Sequence, residues 1–242
     1  MDHTVLITGA SSGIGKESAV LFAAKGFNTV INCKSNVSGL SELATKLEAG
    51  GAKVLPVVKD VSDPAQSGEM FEIMSANDMV PDIVINNAGI SHIGLLQDMS
   101  FEEWSNVIGT NLTSVFNVCK CAIPHMLRLG GGRIINISSM WGNTGASCEV
   151  AYSASKGGVN AFTKALAKEL APSRIQVNAV AFGAVDTRMN SFLSEDELDA
   201  LIEEIPSGRL CSTAEAASII YRVASLSEYV TGQIITADGG LT

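Results

Sequence analysis

Tyr152 and Lys156 stand four positions apart, a phenol and an ammonium near the start of a helical pattern. Ala, Val, Phe and Leu recur there at three- and four-residue steps from about Ala151 to Ala171, and Pro172 closes the run. At about 100° per residue the two side chains lie about 40° apart on one face, one turn along the axis. A phenol titrates near 10, too high for proton transfer at neutral pH. A cation ~4 Å away would favour the phenolate by up to about 4 kcal/mol at an effective dielectric of about 20, roughly three pKa units. The expectation is a Tyr152 poised as general acid or base. The plain alternative is two surface residues on a helix.

A second chemistry lies at the amino end. Gly9-Ala10-Ser11-Ser12-Gly13-Ile14-Gly15 follows an apolar run, Thr4 to Thr8, and precedes a helical pattern that ends at Gly26. Glycines let a backbone approach a pyrophosphate, and the helix N-terminus adds free N–H groups and a positive dipole end. The spacing is Gly-x-x-x-Gly-x-Gly, and its place between strand and helix gives it weight. After the next strand, about Asn28 to Asn32, come Cys33-Lys34-Ser35. A dinucleotide site reads the adenosine ribose here, where an acid favours NAD and a base NADP. Lys34 is present and no Asp or Glu is, so the expected cofactor is NADPH/NADP+ rather than NADH. An ordinary solvated lysine is the alternative.

These groups need a frame, and the chain supplies alternating elements. Helices are predicted from about Ser38 to Ala49, from the Asp63-Pro64 start, from the Ser100 capping box to about Leu129 with Asn111 mid-helix, and from capping boxes at Ser194 and Ser212. Further strands are predicted at Lys53 to Val58, Asp82 to Ile85, Arg133 to Ile137, Ile175 to Ala181 and Ile234 to Thr236. The segment opening at Gly142 is expected to be a loop. Strands alternating with helices imply an α/β fold, a Rossmann-type doubly wound parallel sheet of about seven strands with helices on both faces. With no linker or repeat, residues 1–242 are expected to form a single domain. Gly13, Lys34, Asp60, Asn86, Ser139 and Gly183 all fall at carboxyl ends of strands, where such sheets bind ligands.

The totals agree. The chain has 242 residues, 46% of them hydrophobic, enough for one full core. No apolar run of about 18 residues suggests a membrane span. The start, Met1-Asp2-His3-Thr4, shows no basic region or cleavage site, so a cytoplasmic protein is expected. A net charge of −9 argues against nucleic acid and anionic membranes. Cys33, Cys119, Cys121, Cys148 and Cys211 make no metal or disulfide framework. His3, His92 and His125 have no evident partners in the sequence. No metal site is expected.

Over its whole length the chain resembles the short-chain dehydrogenases/reductases. The matching pieces are Thr8 to Gly15, Asn86-Asn87-Ala88-Gly89, Asn111, Ser139, Tyr152-Ser153-Ala154-Ser155-Lys156, Asn178 and Thr231-Gly232-Gln233. Asn32-x-Lys34, Pro206-x-Gly208-Arg209 and the Tyr229 to Gln233 ending are most similar to the 3-oxoacyl-acyl carrier protein reductases. The resemblance implies that Tyr152 protonates a carbonyl oxygen as hydride reaches the carbon. Lys156 would lower the phenol's pKa and hold the nicotinamide ribose. Ser139, rather than Ser138, would bond the same oxygen, and Asn111 would hold a water linking Lys156 to solvent. Gly9, Ser11, Ser12, Gly13, Ile14 and Gly15 would carry the pyrophosphate, Lys34 the 2′-phosphate, Asp60 and Val61 the adenine, and Asn87, Ala88 and Gly89 the adenosine side. Gly183, Val185 and Thr187 would close over the nicotinamide. A homotetramer built through helices at about 101–129 and 151–171 is implied.

Two departures from the family pattern bear on substrate. Phe182-Gly183 stands where Pro-Gly is usual, and Glu149 precedes Tyr152 by three residues, with Trp141 and Cys148 nearby. Ser139, Trp141, Glu149 and Phe182 are the candidate substrate contacts. The first reading is an NADPH-dependent reductase of a 3-oxoacyl thioester on an acyl carrier protein, with Arg128 and Arg174 as basic docking residues. A second is an enzyme of another carbonyl compound: a reductase of an aminoketone linked to a translation elongation factor, or a steroid or sugar alcohol dehydrogenase. A third class is a cofactor-binding regulator without catalysis, against which the Ser/Tyr/Lys/Asn set speaks.

Overall fold

Seven apolar runs pair side by side into one sheet in the computed structural model, which describes residues 3–190 and 194–242. The strands are β1 Thr4–Ile7, β2 Asn28–Cys33, β3 Val54–Val58, β4 Ile83–Asn86, β5 Gly132–Ser139, β6 Ile175–Phe182 and β7 Ile234–Ala237. Every pairing is parallel, in the order β3-β2-β1-β4-β5-β6-β7. Both faces are therefore covered, which is why the strands read as continuous apolar runs rather than as alternating ones.

The helices are α1 Gly13–Ala24, α2 Val37–Ala49, α3 Pro64–Ala76, α4 Phe101–Ile108, α5 Ser114–Leu129, α6 Trp141–Thr144, α7 Val150–Leu170, α8 Glu195–Glu204 and α9 Thr213–Ala224. Alternation along each strand divides the core. Val5 and Ile7 of β1 pack with Phe22 of α1, Leu43 of α2 and Ile220 of α9. Leu6, between them, packs on the other face with Met70 of α3, Val118 of α5 and Val159 of α7. The local start signals are realised. Asp63 accepts from the backbone of Ala65 and Gln66 at 2.8 and 3.3 Å, ahead of Pro64. Ser100, Ser194 and Ser212 each form a reciprocal capping box with the Glu three residues on.

Three expectations change. The segment from Trp141 to Thr144 is a short helix, not a loop. The predicted single helix to Leu129 is interrupted by a π-helical turn at Gly109–Thr113, and Asn111 sits in that turn. The histidines do have partners: His3 pairs with Asp82, His92 lies 4.0 Å from Glu103, and Arg128 donates to His125 at 2.7 Å. None of them lines the cleft described next. Among the described residues no helix is long and apolar enough to cross a membrane, and no His/Cys/Asp/Glu group could hold a metal.

Candidate active site

Strand order reverses between β1 and β4, so their two connections diverge and leave a crevice at their carboxyl ends. A cleft of about 860 Å³ opens there and extends past the ends of β5 and β6. The two turns that flank the crevice are stitched together. Thr8 Oγ1 accepts from the Asn87 and Ala88 amides, both at 3.0 Å, and Asn87 Nδ2 donates to the Thr8 and Gly9 carbonyls at 2.9 and 3.2 Å. This closeness dictates residue type. Gly9 has φ +65°, and a Cβ there would lie 2.9 Å from the Ala88 Cα. A Cβ on Gly15 would lie 2.5 Å from the Gly9 carbonyl oxygen and from Asn87 Nδ2.

Gly9, Ser11, Ser12, Gly13 and Ile14 line the cleft, as do Asn87, Ala88 and Gly89. Gly15 does not; it packs the start of α1 against the turn. Ser12, the N-cap of α1, makes no side-chain capping bond. The first-turn N–H groups beside the glycine turn are thus left for another acceptor, and the positive helix end suits an anion. The residues present fit a dinucleotide pyrophosphate.

Lys34, Asp60 and Val61 lie outside the cleft lining. Lys34 and Asp60 follow the adjacent ends of β2 and β3, and their side chains pair at 2.8 Å. Burial raises the Asp60 carboxyl, but the Lys34 ammonium and the Ser62 hydrogen bonds outweigh it and hold it below its usual range. Val61 is buried, and its carbonyl accepts from Asn117 Nδ2 at 3.1 Å.

Beyond the crevice, Ser139, Tyr152 and Lys156 line the same cleft and are all buried. Ser139 ends β5, which aligns it with Phe182 at the end of β6. The Ser139 hydroxyl hydrogen-bonds the Tyr152 phenol. The expected depression of the phenol is not found. Lys156 Nζ donates to the Ile137 carbonyl at 2.8 Å and sits 5.6 Å from the centroid of the Tyr152 ring. Burial pushes the phenol up to about 12; the Ser139 hydrogen bond opposes this, and the Glu149 charge adds to it. Burial pushes the Lys156 ammonium down to about 8. Low dielectric acts on both groups more strongly than one-turn spacing on a helix implies.

Asn111 is not in the lining. Its amide is spent on structure: Oδ1 accepts from the Ile90 amide at 2.8 Å, and Nδ2 donates to the Ile90 carbonyl at 2.9 Å and to Ser155 Oγ at 3.0 Å. Ser155 in turn donates to the Tyr152 carbonyl at 2.7 Å. The π turn thereby fixes the loop after β4 and the first turns of α7 at once, and this is the reason for an asparagine in mid-helix. A second clamp escaped the sequence reading. Ser138 Oγ donates to Asn160 Oδ1 at 2.6 Å, and Asn160 Nδ2 to Asn143 Oδ1 at 2.9 Å, tying β5, α7 and α6. Asn160 is another asparagine inside a helix, the same signal that marked Asn111.

Trp141, Glu149, Phe182, Gly183, Val185 and Thr187 all line the cleft, joined by Arg188, Met189 and, from α8, Leu201. Phe182 is also buried in the core with Val185. Glu149 precedes α7 and follows Cys148, which has φ +61°. Burial pushes the Glu149 carboxyl up, and a hydrogen bond from the Trp141 side chain draws it partly back. Arg128 and Arg174 are elsewhere. Both precede the amino ends of strands β5 and β6, and at ~3.3 Å per residue eight residues of β6 carry Arg174 about 25 Å from the cleft end. Arg174 is engaged there by Glu228 at 3.0 Å.

A doubly wound parallel sheet with a glycine turn at its switch point, and a serine, tyrosine and lysine beside it, defines a class of oxidoreductases. Residues 3–198 match the short chain dehydrogenase family, and the chain belongs to it. It is an oxidoreductase of CH–OH and C=O groups. Its sequence is 43% identical over 237 residues to the 3-oxoacyl-[acyl-carrier-protein] reductase FabG of Thermotoga maritima, covering 98% of this chain and 96% of that one. It is 40% identical to YmfI, an uncharacterized oxidoreductase of Bacillus subtilis, over 99% of both chains. A crystal structure from Agrobacterium tumefaciens, provisionally assigned as a gluconate dehydrogenase, superposes with a TM-score of 0.94 at 31% identity, covering 99% of this chain and 95% of that one.

Proposed function

We propose that this chain is an NADPH-dependent ketone reductase whose substrate is a 3-oxoacyl thioester carried by an acyl carrier protein. The observation that carries the reductase reading is the meeting of Ser139, Tyr152 and Lys156 in the cleft that also receives the glycine turn. A phenol with its pKa raised toward 12 keeps its proton at neutral pH, as an acid for carbonyl reduction must. The Tyr152 hydroxyl donates that proton to the carbonyl oxygen, while the Ser139 hydroxyl donates a hydrogen bond to the same oxygen, where charge develops. The buried Lys156 ammonium offsets the charge left on the phenol. Asn111 and Asn160 act as positioning residues through the Ile90 loop, Ser155 and Ser138. A nicotinamide dinucleotide, when bound, supplies the hydride. Gly9, Ser11, Ser12, Gly13 and Ile14 would hold its pyrophosphate, Lys34 its 2′-phosphate, and Thr187 and Val185 its nicotinamide end. The named activity of the Thermotoga maritima relative supports the acyl substrate. Exposed Phe101, Phe116, Leu127 and Leu129 on α4 and α5 support assembly into a homotetramer.

One observation favours a second reading. Glu149 brings a carboxylate into the cleft, and α8, which contributes Leu201 to the lining, carries six carboxylates and no Lys or Arg. A ketone bearing an amine, such as an aminoketone linked to an elongation factor, fits such a mouth. Turnover of acetoacetyl thioesters, aminoketones and steroids with NADPH and NADH separates the readings. Acyl thioesters reduced with NADPH at the highest kcat/KM are expected; an aminoketone preferred by tenfold or more overturns the first reading in favour of the second.

A further inference from the structure

The ion pair just past the ends of β2 and β3 carries an inference about cofactor choice, and it rests on the reading of Lys34 as the 2′-phosphate contact. We propose that Asp60 is a specificity-determining residue that limits the preference for a 2′-phosphorylated cofactor by competing for the Lys34 ammonium. Lys34 Nζ lies 2.8 Å from Asp60 Oδ2. The carboxylate is held from its other side, with Oδ1 accepting from the Ser62 amide at 2.9 Å and from Ser62 Oγ at 2.6 Å. Its backbone is held too, the Asp60 amide donating to Gln66 Oε1 at 3.0 Å. Asp60 is thus fixed and half-buried, whereas the Lys34 side chain is largely exposed. The lysine is the partner that moves.

A cofactor with a 2′-hydroxyl leaves this pair intact. A cofactor with a 2′-phosphate has to draw the ammonium toward itself or share it, and it brings nearly two negative charges near a carboxylate already there. The pair therefore penalises the phosphorylated cofactor alone. Lys34 promotes selectivity and Asp60 restrains it, so the net preference is a difference between the two. Contacts of Asp60 with the adenine weigh on both cofactors equally and cancel in the ratio of their affinities.

The test is a binding titration rather than turnover: Kd for NADPH and NADH, read by quenching of protein fluorescence, for the parent, Asp60→Asn, Lys34→Ala and the double variant. Asn keeps the shape and the acceptor for Ser62. Far-UV circular dichroism and a cooperative thermal transition report that each variant folds, with Asp60→Ser as the substitute if Asp60→Asn does not. The ratio Kd(NADH)/Kd(NADPH) is expected to rise about tenfold in Asp60→Asn, the scale of one unit charge acting on a dianion near the surface, and less than threefold when the same change is made in Lys34→Ala. A ratio unchanged or lowered by Asp60→Asn, with Lys34→Ala still reducing it, overturns the proposal and leaves the Lys34 assignment standing. Equal rises in both backgrounds overturn it as well, since Asp60 would then act without Lys34. A ratio that Lys34→Ala does not move defeats the Lys34 assignment itself.

Discussion

Tyr152 and Lys156 are where burial and charge contend most directly. Tyr152→Phe keeps the ring and removes the transferable proton. Turnover is expected to fall at least ~10²-fold with cofactor affinity retained, and a variant within tenfold of the parent would refute the phenol as the acid. The same pair makes folding stability depend on pH in a defined direction. Lys156 titrates at about 8 in the fold against 10.5 in the unfolded chain. Between those values the unfolded chain binds the extra proton, so stability rises with pH and is lost as pH falls back through 8. Tyr152 works the other way, at about 12 folded against 10.0 unfolded, so its contribution is present below 10 and lost as pH climbs toward 12. Urea unfolding of the free protein should therefore show stability rising from pH 8 to 10 relative to Lys156→Met, in which that rise is absent. Parallel curves for the two proteins would show that Lys156 does not titrate there.

At the level of elements, the site depends on how closely α6 lies on α7. A Cβ on Gly142 would come within 2.7 Å of the Lys156 carbonyl carbon and 2.9 Å of its oxygen. Those are backbone atoms in the middle of a helix, so the short helix itself has to move. Gly142→Ala is expected to destabilise by about 1–3 kcal/mol and to reduce kcat at least ~10-fold, because the displacement reaches Ser139 and the Asn143–Asn160 bond. Thermal unfolding and single-turnover rates measured together check both halves; an unchanged kcat would mean that α6 is not part of what holds the site. The boundaries of the long elements were legible because caps and apolar periodicity are local. The four-residue helix and the π turn were not: neither has a periodicity of its own, and both exist to meet α7 and the Ile90 loop.

For the whole molecule, charge separates the two substrate readings. The chain carries a net charge of −9, Glu149 lines its cleft, and the acidic α8 contributes Leu201 to the same lining. Among the described lining residues the cations are Arg188 and the buried Lys156. Arg128 and Arg174, proposed from sequence as the basic flank, lie at the amino end of the sheet, opposite the cleft, and are each engaged locally. An amine-bearing ketone should lose kcat/KM by the equivalent of ~1–3 kcal/mol in Glu149→Gln and lose it progressively with salt, while a neutral ketone stays within twofold. A thioester on an acidic carrier should instead gain from both changes. If neither substrate responds to Glu149→Gln, the carboxylate plays no part in selection.

What the amino-acid order determined by itself is whatever acts over a few residues. The strand and helix alternation, the glycine turn after β1, the capping boxes and the common face of Tyr152 and Lys156 follow from spacing and residue type alone. The family motifs added Ser139 and Asn111. Only the tertiary structure decided the sign of the Tyr152 shift, since desolvation depends on everything packed around the phenol and not on its neighbour one turn away. It also decided that Lys34 and Asp60 form a pair and that Arg174 faces away from the cleft. Twenty-six positions separate the first two residues, and eight residues of strand separate the third from the site. Burial and charge pairing are properties of the packed sheet, to which no short stretch of sequence has access.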